Sequence, residues 1–103
     1  MTYLSGPMTG IKDHNYPAFR AAAKALRERG YCILSPHEDT PYQEGQPYAY
    51  YIQRDLITLL TRCDSIALLP GWEASRGAQL EYAVAETCGY LMYDVIGEEM
   101  VAR

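Results

Sequence analysis

The stretch Asp64-Ser65-Ile66-Ala67-Leu68-Leu69-Pro70-Gly71 decides the fold. Ser65 to Leu69 shows no alternation of apolar and polar residues, so a strand built from it must be covered on both faces, as in the middle of a parallel sheet. Pro70 and Gly71 stop it, because neither continues a strand ladder well. Downstream, Ser75 can cap a helix running from Arg76 to Cys88, Gly89 can end it, and Tyr90 to Val95 supplies the next extended run. Upstream, Pro47 opens a segment in which Ile52, Leu56, Leu59 and Leu60 recur at helical spacing as far as Arg62.

Further out, Tyr31-Cys32-Ile33-Leu34 suits a short buried strand closed by Ser35-Pro36. Phe19, Ala22, Ala23 and Leu26 mark a helix that Asn15 can cap, Pro17 can begin and Gly30 can close. Thr2 to Ser5 forms the first strand and breaks into the loop Gly6-Pro7-Met8-Thr9-Gly10. Residues 37–47 (HEDTPYQEGQP) have no periodicity and read as a loop long enough to act as a lid. Residues 97–103 (GEEMVAR) read as a polar tail. Strands alternating with helices predict one α/β domain over residues 1–103, a three-layer sandwich on a parallel sheet. Ligands of such sheets bind beyond the carboxyl ends of the strands, which directs attention to the loops Gly6–Gly10 and Pro70–Gly77.

Composition narrows the function. With 103 residues, 49% of them hydrophobic, the chain is expected to hold a single core. Nine Lys plus Arg against thirteen Asp plus Glu give a net charge of −4, which argues against binding duplex nucleic acid. No apolar run approaches the roughly 18 residues that span a bilayer, and the opening MTYLSGPMTG lacks a signal-peptide pattern. A cytoplasmic protein without a membrane partner is expected. Cys32, Cys63 and Cys88 lack metal-ligand spacing and read as reduced thiols. His14 and His37 share no ligand spacing either and read as solvated loop residues, so neither a metal nor a cofactor is expected. Ten tyrosines against one Phe and one Trp suggest an aromatic cleft with polar edges, unless Tyr here simply replaces Phe in the core.

Glu81 is the most informative residue. With Gln79 set at zero and a step of about 100° per residue, Glu86 falls at about 340° and Thr87 at about 80°, whereas Glu81 falls at about 200° beside Val84, Ala85 and Cys88. The carboxylate therefore points away from the solvated face. Such a group is costly unless paired or hydrogen-bonded. An ion pair to Arg76 or Arg54 would explain it structurally; an inward-facing nucleophile would explain it functionally. Asp55 sits at the edge of the apolar face of its helix, where it can reach a cleft or pair with Arg54 or Arg62. Ser75-Arg76-Gly77 at a helix mouth can either cap the helix or receive an anion. Trp72 can stack on a base or merely cover the end of the sheet.

Four stretches, Tyr3-Leu4-Ser5-Gly6-Pro7-Met8-Thr9-Gly10, Gln53-Arg54-Asp55-Leu56, Asp64-Ser65-Ile66-Ala67-Leu68-Leu69 and Ser75-Arg76-Gly77-Ala78-Gln79-Leu80-Glu81, resemble in this order the nucleoside 2-deoxyribosyltransferase-like superfamily. The likeness covers nearly the whole chain and is greatest to a small branch common in phages and bacteria, related to deoxynucleoside 5'-monophosphate N-glycosidases. It implies a flavodoxin- or Rossmann-like sandwich with a four-stranded parallel sheet in the order 2-1-3-4. It implies cleavage, by hydrolysis or transfer, of the N-glycosidic bond of a 2'-deoxyribonucleoside or its 5'-monophosphate through a covalent glycosyl–Glu81 intermediate. Asp55 would then contact the sugar and assist the leaving base, and Tyr3 would orient the nucleophile. Ser75 and Gly77 would hold the 5'-phosphate, with Arg76 beside them, while Ser5, Gly6, Pro7 and Met8 line the pocket and Trp72 with Tyr48 or Tyr51 sandwiches the base. Where the monophosphate hydrolases carry a phosphate-gripping Ser and Arg, this chain has Pro7 and Thr9. No fifth strand is expected after residue 95, and a homodimer or larger oligomer is expected to cover the open edge. The rival from another class is a non-catalytic nucleotide-binding module, a sensor or sequestering protein, which would bind a nucleotide without releasing its base.

Overall fold

A computed structural model describes residues 1–103. Its strands are β1 (Thr2–Ser5), β2 (Ile33–Leu34), β3 (Ser65–Leu68), β4 (Leu91–Ile96) and β5 (Glu99–Ala102). Its helices are α1 (Tyr16–Glu28), the short α2 (Pro36–Asp39), α3 (Tyr48–Arg62) and α4 (Arg76–Thr87), with 3-10 turns at Lys12–Asn15 and Trp72–Ala74. The sheet order is β2-β1-β3-β4-β5. β3 lies in the middle, paired in parallel with β1 (Tyr3 opposite Ile66, Ser5 opposite Leu68) and with β4 (Ile66 opposite Met92).

All four residues of β1 and of β3 are buried, as the unbroken apolar run requires. Successive side chains on a strand face opposite ways. Leu4 and Ala67 therefore pack with Phe19, Ala23 and Leu26 of α1 on one face. Tyr3, Ile66 and Leu68 pack with Leu59 of α3 and Ala85 of α4 on the other. Helices thus cover both faces of one sheet.

The expected four-stranded parallel sheet is corrected to a five-stranded mixed one, because residues 97–103 are not a free tail. Gly97, at φ +63°, starts a tight turn, and β5 returns antiparallel to β4 with Ile96 opposite Glu99 and Tyr93 opposite Ala102. The order β2-β1-β3-β4 holds within it. β2 is shorter than expected, and the start of the 37–47 loop is taken up by α2. Leu60 belongs to the periodic face of α3 yet stays 49% exposed, so the buried stripe of that helix is narrower than its apolar one. Asn15 does not cap α1: it sits in the left-handed region, and its Nδ2 donates to the Pro7 carbonyl at 2.9 Å.

Candidate functional site

Glu81 is placed by two elements at once. α4 begins at Ser75, whose Oγ accepts from the Ala78 N–H at 3.3 Å. Six residues on, Glu81 faces the sheet and is only 6% exposed. Tyr3 and Ser5, two apart on β1, present their hydroxyls to the same face. Tyr3 Oη donates to Glu81 Oε2 at 2.6 Å and Ser5 Oγ donates to Oε1 at 2.7 Å. No ion pair in the structure includes Glu81 or Asp55, so the structural explanation by Arg76 or Arg54 is excluded. Arg54 instead lies 3.5 Å over the Tyr50 ring.

Glu81 and Asp55 line one cavity of about 330 Å³, at the small end of the range for ligand sites. It lies beyond the carboxyl end of β1, under the loop that leaves that strand, with the first turn of α4 (Ser75, Gly77, Ala78) along one side. Close approach is built in: a Cβ on Gly77 would stand 2.9 Å from Tyr48 Oη, and one on Gly6 would stand 2.8 Å from Leu69 Cβ.

The electrostatics follow from burial. Removal from water pushes the Glu81 carboxyl up to about 7, against the downward pull of the Ser5 and Tyr3 hydrogen bonds. Burial, followed by the charge of Glu81, pushes Asp55 up to about 7 as well, while the Thr40 hydroxyl pulls it down. Burial first, then the two carboxylates, hold the Tyr3 phenol well above its ordinary value, so it remains a donor. When one carboxyl ionises, the other keeps its proton more firmly. The two hydroxyl donors favour the ionised form of Glu81.

Of the residues expected at the site, Tyr3, Gly6, Met8, Ser75, Gly77, Asp55 and Glu81 line the cavity. Ser5 sits just behind it, fully buried against Glu81. Pro7 and Arg76 are not in the cavity wall; Arg76 lines an adjoining depression with Leu80 that shares Tyr48 and Ile52 with the cavity. Trp72 is also outside, its ring stacked on Tyr82 at 4.7 Å with the Arg103 guanidinium above it. A base sandwich using Trp72 is therefore corrected; the aromatic wall comes from Tyr48 and Tyr51 with Tyr42 and Tyr16.

The sequence reading missed His14, which lines the cavity with its ring stacked on Tyr42 at 4.5 Å. Three successive residues, Asp13, His14 and Asn15, hold φ between 54° and 58° to bring it there. These are residue types that tolerate the left-handed region, the one usable hint in the sequence. The 37–47 loop does cover the cavity, contributing Thr40, Tyr42 and Gln46. It is tied down by tyrosine hydroxyls: Tyr16 Oη accepts from the Tyr42 N–H, and Tyr51 Oη accepts from the Gln43 N–H and donates to the Gln43 carbonyl. No group of three or more His, Cys, Asp or Glu side chains is arranged to hold a metal ion. No helix is long and apolar enough to cross a membrane.

Fold and site together define a small α/β sandwich protein with a carboxyl pair, Glu81 buried and Asp55 half-buried, in an aromatic cavity. The chain belongs to the DUF4406 family, described as a domain of unknown function, whose family model matches residues 1–94. β5 lies beyond the matched stretch. No curated protein matches the chain.

Proposed function

We propose that this protein cleaves the N-glycosidic bond of a 2'-deoxyribonucleoside or its 5'-monophosphate by double displacement. The observation that carries the reading is Glu81: a buried carboxyl held by two hydroxyl donors, free of any cation and facing a cavity shared with a second carboxyl. The resemblance to the nucleoside 2-deoxyribosyltransferase-like superfamily supplies the substrate class. Glu81 attacks C1', and the base leaves with the bonding electron pair and takes the proton of Asp55. Asp55, now a carboxylate, draws a proton from water as its oxygen adds to C1', and Glu81 is released. A second base in place of water would make the reaction a transfer. Tyr3 and Ser5 hold the carboxylate in its attacking orientation.

A homo-oligomer is part of the same reading, supported by the exposed Ile57, Leu60 and Leu80 on α3 and α4. A cytoplasmic location is supported by three free thiols, Cys32, Cys63 and Cys88.

The test is chromatography of free base after incubation with a panel of deoxynucleosides and their monophosphates. Wild type is expected to release base from at least one, and Glu81→Ala to lose that release. Equal release by the variant would remove Glu81 from the mechanism. Tight binding without release by wild type would favour the non-catalytic module instead.

A further inference from the structure

The cavity has an unusual charge balance. Asp55 and Glu81 are acidic, and no Lys or Arg stands in its wall. Arg54 lies over Tyr50 and Arg62 pairs with Asp39 at 2.8 Å, while Arg76 lines an adjoining depression that meets the cavity at Tyr48 and Ile52. The positive end of α4 touches one side, but its Ser75 hydroxyl already receives the Ala78 N–H. Around the two acids stand Tyr16, Tyr42, Tyr48, Tyr51 and His14. Aromatic faces carry negative potential, and rings surrounding an acid pair are how proteins bind organic cations. Burial raises both carboxyls because they lack a counter-charge, and a cationic ligand would bring one.

We propose that the cavity selects a deoxynucleoside whose base carries a fixed positive charge, such as an N-glycosylated pyridinium or a ring-alkylated purine, over neutral nucleosides and over nucleoside phosphates. The proposal rests on the reading of this site as an N-glycosidic one. It also suits the chemistry. As Glu81 forms its bond to C1', the C1'–N bond breaks and its electron pair passes to the ring nitrogen, which changes from positive to neutral. The base then leaves without taking a proton. Water adds its hydroxyl to C1' and gives up a proton to solvent as the Glu81 carboxylate departs. A phosphate on the sugar would instead bring negative charge toward two acids, the buried Glu81 and the half-buried Asp55, with no guanidinium or ammonium in the cavity wall to receive it.

Three probes with one skeleton test this: nicotinamide 2'-deoxyriboside (cationic), its reduced form (neutral) and its 5'-monophosphate. Binding is measured by calorimetry in mildly alkaline buffer on Glu81→Gln, which cannot attack yet keeps Asp55 charged. It is repeated on Glu81→Gln/Asp55→Asn, with circular dichroism confirming that both variants fold. The cationic riboside is expected to bind Glu81→Gln at least about tenfold more tightly than either other probe, and to lose that advantage in the double variant. Equal or tighter binding of the neutral or phosphorylated probe, persistence of the preference without both acids, or binding of none of the three would overturn the proposal. Release of nicotinamide by wild type is followed separately. Selective binding without release would uphold this ligand class and count against the proposed reaction. Base release from neutral deoxynucleosides with no preference for the cation would do the reverse.

Discussion

At the residue scale, three side chains carry the proposed reaction. Tyr3 and Ser5 each donate to one oxygen of Glu81, and hydrogen bonds to a charged group contribute more than neutral ones. Tyr3→Phe removes one donor and leaves the ring's packing in place. The Glu81 carboxyl should then ionise at higher pH, so the acidic limb of the rate profile for base release moves toward alkaline pH. The rate near neutrality should fall by about tenfold, the equivalent of about 1.4 kcal/mol. An unchanged profile would show that Tyr3 does not tune the carboxyl. Glu81 was legible in the sequence because a helical wheel needs only spacing, and one acid among Val84, Ala85 and Cys88 stands out. His14 was not: its place in the cavity depends on three left-handed residues in a loop without periodicity. Trp72 was misplaced for a related reason. Its position just after β3 fixes where its backbone lies, but its ring turns toward Tyr82 on α4.

At the element scale, close approaches decide where the cavity walls stand. Gly6 and Gly77 both lie against other groups, yet their substitution should differ in outcome. A Cβ at Gly6 would meet Leu69 Cβ at 2.8 Å and Leu69 Cδ1 at 3.0 Å, and Leu69 is buried in the core. Gly6→Ala should therefore cost about 1–3 kcal/mol in thermal or denaturant unfolding. A Cβ at Gly77 would meet the far end of Tyr48, a residue 49% exposed whose side chain can swing aside. Gly77→Ala should leave stability within about 1 kcal/mol of wild type, helped by the helix preference of Ala, while it displaces Tyr48 and weakens ligand binding. A large stability loss at Gly77 with none at Gly6 would contradict this packing. Elements with strong periodicity or uninterrupted burial, α3, α4 and β3, were readable from the chain. β5 was not, because Glu98, Glu99 and Arg103 give an exposed edge strand the composition of a tail. Its signal was the single turn glycine between two short apolar pairs, Val95-Ile96 and Met100-Val101.

At the scale of the whole molecule, the two cavity acids link stability to pH. Both Glu81 and Asp55 have folded-state values raised to about 7, above reference values of 4.5 and 3.8. The folded state therefore binds more protons than the unfolded chain across that window. The stabilisation from these groups is complete at low pH and is lost as pH rises toward and through about 7. His37, lowered chiefly by burial, acts in the opposite direction, so the contribution is best read as a difference between variants. Glu81→Gln should gain stability relative to wild type as pH rises from about 5 to about 8, seen as a growing difference in melting temperature. A constant difference would mean that Glu81 titrates near its unfolded value. The α/β class and the position of the site beyond the strand ends were legible at this scale from the alternation of elements alone. The enclosing tyrosine wall was foreshadowed only by composition, since ten tyrosines do not state which of them meet.

The central claim is that the Glu81 carboxylate attacks C1'. A deoxynucleoside analogue carrying fluorine beside C1' and a good leaving base should stall the second displacement and leave its sugar on the enzyme. Peptide mapping by mass spectrometry is expected to find that added mass on Glu81 and to find none in Glu81→Gln. Base release by wild type with no adduct, or an adduct on another residue, would contradict it.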